Sequence, residues 1–178
     1  MVLVKVFAKL KDVDLETLVQ LIIDCDARKE WDKIVKELSV YEKINEFSDI
    51  IYCVIKTPPG FSNRDYVQYR HFLHNKRNSD LIEKFGLFQR ENDYYVLYLK
   101  SVEIPEIPPI KGLVRADTII TGYLIEKEGN DVNFTMVLQT DVKGFIPKSI
   151  FNRVSTRVPG MWLKNLLNGY TDKCLKKK

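Results

Sequence analysis

Arg64, Gln68 and Arg70 stand at even spacing in the run RDYVQYR, so on an extended chain their side chains share one face. An arginine suits a phosphate or carboxylate because its guanidinium fork grips two oxygens and keeps its charge when desolvated. If that face is closed off from water, the two arginines hold an oxyanion; if it is open, Arg64 pairs with a nearby carboxylate at the start of a strand. Tyr94, Tyr95 and Tyr98 read as strand packing. Other chemistry is thinly represented. His71 and His74 lie three apart on a strand-like run and so point to opposite faces. The sequence has no GxSxG, no HExxH and no glycine-rich phosphate loop, and Asp24, Asp26 and Asp32 read as helix caps and surface charges. The chain is therefore not read as an enzyme, and no catalytic residue is assigned. Cys25, Cys53 and Cys174 are odd in number, far apart and without a CxxC pair, which argues against a disulfide framework or a metal site. They fit a reducing, cytoplasmic setting, and no cofactor is expected.

The elements that must position these groups follow from length and pattern. The 178 residues match about one domain, taken as 1–178, and 45% hydrophobic with 29% charged residues is ordinary for a globular chain. A net charge of +4 is too weak for a nucleic-acid binder, although Lys176, Lys177 and Lys178 form a basic tail that suits an anionic membrane surface or simply solvent. Nothing resembles a secretory signal, and no run approaches the ~20 apolar residues of a membrane span. Val2, Val4, Val6 and Ala8 alternate as a first strand, and Asp14 caps a helix carrying Leu15, Leu18, Val19 and Ile22. A second short helix is predicted at Ala27–Asp32. Strands follow at Val35–Ile44, Ile50–Lys56, Tyr66–Asn75, Tyr94–Val102, Lys111–Glu126 and Val132–Asp141, rich in β-branched and aromatic residues. Within Ser79–Asn92, Asp80–Phe88 suits either a short helix or a hairpin. A long last helix starts near Pro147, with Ile150, Phe151, Val154, Val158, Met161, Trp162, Leu166 and Tyr170 along one stripe. Pro159-Gly160 is expected to kink or split it and to serve as a gate.

Seven successive antiparallel strands curl, and a long helix across their open side gives an α+β helix-grip fold with room beneath the helix. Four stretches resemble START (steroidogenic-acute-regulatory-related lipid transfer) domains, in family order: RKEWDK at Arg28–Lys33, GFSNRDYVQYR at Gly60–Arg70, SVEIPEIPPIKGLVRA at Ser101–Ala116, and TDVKGFIPKSIFNRV at Thr140–Val154. Together they cover nearly the whole chain and are similar above all to members that transfer phosphatidylcholine. Complete members begin with a helix and two further strands, so this chain is expected to start at what would be their third.

The resemblance implies a cavity that holds one lipid. It implies that Arg64, and with it Gln68 and Arg70, faces that cavity, and it sets Tyr95 where a tryptophan cradles choline. Val154, Val158, Met161 and Trp162 would line the helix side. The strand Ile50–Lys56 has no interior acid to pair with a buried arginine, which favours a phospholipid over a sterol or ceramide. The function implied is lipid transfer with transient membrane contact. A lipid sensor that binds without shuttling and an enzyme of the helix-grip class are the alternatives.

Overall fold

The computed structural model describes residues 3–79, 83 and 91–176, without the side chains of residues 148, 149, 151 and 152. The Asp80–Phe88 segment, Glu83 apart, and the tail residues Lys177 and Lys178 lie outside the described residues. The elements run β1 (Leu3–Leu10), α1 (Leu15–Ile23), α2 (Cys25–Trp31), β2 (Val35–Asn45), β3 (Ser48–Ile55), β4 (Arg64–His74), β5 (Tyr94–Ser101), β6 (Val114–Arg115), β7 (Asp117–Glu128), β8 (Asp131–Asp141) and α3 (Lys148–Leu175). The sheet order is β1-β8-β7-β5-β4-β3-β2, antiparallel throughout, and the two-residue β6 adds to β4 in parallel. The strand read at Lys111–Glu126 is thus two strands. Register shifts between β2 and β3 and at Thr118/Ile120 of β7 mark bulges, which add local twist to the sheet.

The first two helices each begin where an aspartate side chain meets free backbone amides. Asp14 accepts from the backbone N–H of Thr17 at 2.8 Å, and Asp24 accepts from those of Asp26 and Ala27 at 2.9 and 3.0 Å. Asp24 is a cap, as its sequence context suggests. Asp32 is not a surface charge: it is fully buried, and α2 stops one residue before it. Nearly all of β3 is buried because both its faces are covered. Its outer face carries Ile50, Tyr52 and Val54 under Val102, Ile104, Ile107 and Leu113 of the β5–β6 loop. Arg115 holds that loop down, pairing with buried Asp65 at 2.9 Å and donating to the carbonyls of Ile107 and Pro108.

The inner face of the sheet packs on the helices. Trp162 of α3 meets Trp31 of α2 edge-on at 5.3 Å and lies against Tyr123 and Phe134. Gly169 allows the close approach: a Cβ there would come within 2.4 Å of the Cβ of Trp31. Tyr170 accepts from the amide of Asp14 at 2.9 Å, tying the far end of α3 to the start of α1. The helix runs unbroken from Lys148 to Leu175 through Pro159, so the expected split does not occur. Trp162 and Leu166, both buried, anchor the helix just beyond the proline, and tertiary packing outweighs the lost backbone bond.

The two histidines make stability depend on mild acid. Burial lowers the pKa of His71, whose ring lies 2.6 Å from the Ser48 hydroxyl, and of His74, packed on Tyr95. Below an unfolded value near 6.5 the unfolded chain therefore binds more protons than the folded one. Their contribution is complete above that pH and is lost as pH falls through it toward the folded values. The thermal midpoint is expected to drop between pH 7.5 and 5.5, and His71→Gln should flatten the drop. An unchanged slope in that variant would contradict this.

Candidate functional site

Between the inner face of the sheet and the first half of α3 lies a cavity of about 680 Å³. Its floor is Leu38, Ile51, Cys53, Leu99, Tyr123 and Met136 from the strands, and its roof is Val154, Val158 and Trp162 from α3. Pro58, Phe61 and Ile146 of two neighbouring loops, with half-exposed Met161, complete the wall. Cys53 belongs to the apolar lining: burial pushes its thiol up to about 12, so it stays protonated and is a poor nucleophile.

The charged groups facing this cavity are all cationic. Arg28, Lys33, Lys56, Arg64, Arg153 and Arg157 line it, and no carboxylate does among the described lining residues. Arg28 is the inner one with donors to spare. Its Nε donates to Asp32 at 3.2 Å, and its guanidinium carbon lies 5.9 Å from the Trp162 ring. Trp162 Nε1 donates to the same Asp32 oxygen at 3.0 Å. Asp32 thereby fixes the direction of Arg28, while the two terminal guanidinium nitrogens have no partner among the described residues. A polar shelf stands opposite, where Gln68 donates to Thr118 at 2.7 Å.

The structure places the residues singled out from sequence in three settings. Arg64, Gln68, Val154, Val158, Met161 and Trp162 line the cavity, as does Pro159. Arg64 is committed to backbone: it donates to the carbonyls of Ser62 (2.6 Å), Val142 (3.0 Å) and Lys143 (2.8 Å). It joins the loop before β4 to the turn that launches α3. In that turn Lys143 and Gly144 both have positive φ, and Gly144 leaves only 3.2 Å between a built Cβ and the Arg64 guanidinium.

Arg70 and Tyr95 lie outside the lining. Arg70 shares the inner face but sits farther along β4, bridging both oxygens of Asp49 at 2.9 and 2.7 Å and donating to the carbonyl of Ile23 at 2.7 Å. Tyr95 donates to Glu16 of α1 and is not part of the cavity lining. Asp49 also corrects the argument from a missing acid, because β3 begins at Ser48 and its second residue is the carboxylate partner. Gly160 is exposed, with open space around it.

Arg28 is the residue that sequence reasoning passed over. Its signal was present: Arg28 and Asp32 are spaced i, i+4 around Trp31, the spacing of a helical ion pair.

Arg64→Leu is expected to loosen the start of α3. Three carbonyls lose a charged donor, costing about 1–3 kcal/mol. Amide exchange over residues 141–147 should speed up relative to the rest of β8. Protection identical to wild type would contradict the clamp.

A curved sheet gripping one long helix over an apolar, cation-lined cavity defines a helix-grip ligand-holding domain. The START domain profile matches residues 3–176, and the chain belongs to the START domain family. It is 33% identical to START domain-containing protein 10 of Homo sapiens over 145 residues, which is 81% of this chain and 44% of that protein. It is 29% identical to phosphatidylcholine transfer protein of Mus musculus over 164 residues, 92% of this chain and 70% of that protein. The chain thus spans under half the length of the first relative. The crystal structure of human STARD10 superposes with a TM-score of 0.82 at 28% identity, covering 98% of this chain and 65% of that one. Human StAR-related lipid transfer protein 5, at 18% identity and a TM-score of 0.80, shares the fold. No helix among the described residues is long and apolar enough to cross a membrane.

Proposed function

We propose that the chain binds a single lipid in the cavity beneath α3 and carries it between membranes. The observation that carries this reading is the cavity: about 680 Å³, apolar on floor and roof, with Arg28 aimed into it. Ligand sites of globular proteins span about 300–1,000 Å³ and combine apolar walls with a few placed polar groups. Each methylene moved from water into such a site yields about 0.8 kcal/mol, ample to extract an acyl chain. The name of one relative, phosphatidylcholine transfer protein, supports transfer rather than catalysis. The six cationic lining residues support a head that bears an oxyanion, as in phospholipids, over the neutral heads of sterols and ceramides. Arg28 is the group we assign to that oxyanion. The contact with a membrane is transient and peripheral, in a reducing aqueous compartment where Cys25, Cys53 and Cys174 stay free.

Transfer of a fluorescent phospholipid from donor to acceptor vesicles tests this reading. Val154→Trp and Val158→Trp should keep the fold and abolish both binding and transfer. Undiminished uptake by both variants would refute a cavity ligand, and binding without transfer would favour the sensor reading.

Release needs an opening, and α3 is weakest where Pro159 deprives it of a backbone donor and Gly160 adds freedom. Pro159→Ala/Gly160→Ala is expected to slow transfer several-fold while leaving equilibrium affinity equal or tighter. Unchanged kinetics would move the gate elsewhere.

A further inference from the structure

We infer that the chain docks on anionic bilayers through the end of the molecule that carries Phe145 and Ile110. The inference rests on the carrier reading and deepens it, naming the surface past which a lipid reaches the cavity and the kind of membrane that surface fits.

Three loops far apart in sequence meet at this end. Residues 56–63 join β3 to β4, residues 110–113 form the turn before β6, and residues 142–147 lead from β8 into α3. Buried Arg64 ties the first to the third by donating to the carbonyls of Ser62, Val142 and Lys143. The second joins them through Val114. Its amide donates to the carbonyl of Asn63 at 3.0 Å, and its side chain stands 3.4 Å from where a Cβ on Gly144 would lie. Two of the loops are also closed internally: the Thr57 hydroxyl donates to the Phe61 carbonyl at 2.9 Å, and the Leu113 amide to the Ile110 carbonyl at 3.0 Å.

The surface they present is apolar at its tip. Phe145 is 85% exposed, the most of any large hydrophobic residue described, and Ile110 is 48% exposed. Pro58, Phe61 and Ile146 of the same loops line the cavity wall, so this patch borders the mouth. A lipid that passes it in water exposes its chains, at a cost for every methylene; one that passes it in a bilayer interface does not.

Charge selects the bilayer. The spans 56–63, 110–113 and 142–147 contain Lys56, Lys111 and Lys143 and no Asp or Glu. All three lysines are exposed, as are Arg153 and Arg157 at the cavity rim. Asp141, just before the third span, accepts from the Lys143 amide. A lysine near an anionic leaflet strengthens binding about fivefold, so three favour it over a neutral one by about 100-fold. Two other exposed hydrophobic residues fit less well. Phe7 lies on the outer face of the sheet, since its neighbours Val6 and Ala8 pack inward, and Lys9 beside it is paired with Glu128 and Asp131. Leu175 sits at the far end of α3, where Lys176 approaches Glu30 at 3.9 Å and Asp172 offsets Lys173.

Flotation with vesicles of phosphatidylcholine, and of an equimolar mixture of phosphatidylcholine and phosphatidylserine, tests the docking surface. The wild-type chain should float with the mixed vesicles and stay behind with the neutral ones. Phe145→Asp should weaken binding to the mixed vesicles at least about tenfold while melting like wild type, because the ring packs on little in the free chain. Lys111→Glu/Lys143→Glu should erase the preference for phosphatidylserine, and Phe7→Asp should float as wild type does. Dihexanoylphosphatidylcholine dissolved as monomers needs no membrane, and should bind Phe145→Asp and wild type alike. Wild-type flotation of Phe145→Asp, or no flotation of the wild type itself, overturns the docking surface; binding of the short-chain lipid then leaves the carrier reading standing. Equal flotation of the wild type with both vesicles overturns its anionic preference. A wild-type dimer that Phe145→Asp splits would give the patch to a second copy and overturn the inference as well. If the folded wild type binds neither vesicles nor the short-chain lipid, the carrier reading falls with it.

Discussion

Arg70→Leu is expected to cost about 3–5 kcal/mol of folding stability, the usual penalty for stripping one partner from a buried ion pair. Arg70 and Asp49 are both nearly inaccessible, and the guanidinium engages both carboxylate oxygens while its third contact holds the last carbonyl of α1. The variant leaves buried Asp49 without its guanidinium partner and frees the α1–α2 junction. Against a total of about 5–15 kcal/mol for such a domain, that is a third or more of the whole. Urea unfolding should show a lower midpoint at unchanged slope. Arg70→Leu/Asp49→Leu should recover most of the loss, because replacing both partners by apolar groups is close to neutral. Lipid affinity of the folded fraction should stay at the wild-type value, since Arg70 does not line the cavity. A loss of stability under 1 kcal/mol, or a loss of affinity in the folded double variant, would return Arg70 to the ligand.

Arg28 gives the opposite pattern. Hydrogen bonds to charged groups are worth about 1.5–3 kcal/mol each, and Arg28 has two terminal nitrogens to offer, so losing them should weaken an oxyanion-headed lipid by about 100-fold or more. Arg28→Leu alone would strand buried Asp32 and confuse binding with folding. Arg28→Leu/Asp32→Asn avoids this: the amide oxygen still accepts from Trp162 Nε1, and no lone charge is left. This double variant should melt near wild type and lose oleate or lysophospholipid binding, yet hold methyl oleate as before. Arg28→Lys keeps the charge but not the planar fork and should fall between the two. Wild-type oleate affinity in the double variant would remove Arg28 from the site.

These two arginines show what could be read in the sequence. Even spacing put Arg64, Gln68 and Arg70 on one face, and they share it. Which of them meets the cavity depends on where α1 and α2 cover the sheet, and spacing within one strand does not carry that. The acid beside Arg70 was hidden by a boundary: β3 was read from Ile50, whereas pairing of Asn45 with Ser48 closes the hairpin early and draws Asp49 into the strand. Tyr95 finds Glu16 79 residues away in the sequence, a contact no local pattern announces. The stripe on α3 was legible because it repeats at helical spacing, and Trp162 and Leu166 are its buried members among the described side chains. Its continuity through Pro159 was not, because the packing that outweighs the missing backbone bond comes from Trp31, Tyr123 and Phe134. The motif residues Asp65 and Arg115 turn out to be structural, pinning the β5–β6 loop to the outer face of the sheet.

Mass spectrometry of the intact chain under nondenaturing conditions, after incubation with mixed membrane lipids, reads the central claim most directly. The account predicts one lipid mass per chain, lost on denaturation and absent from Val158→Trp, which fills the space under α3. A bare chain mass from the folded wild type, or an adduct that persists in Val158→Trp, would contradict a lipid held in this cavity.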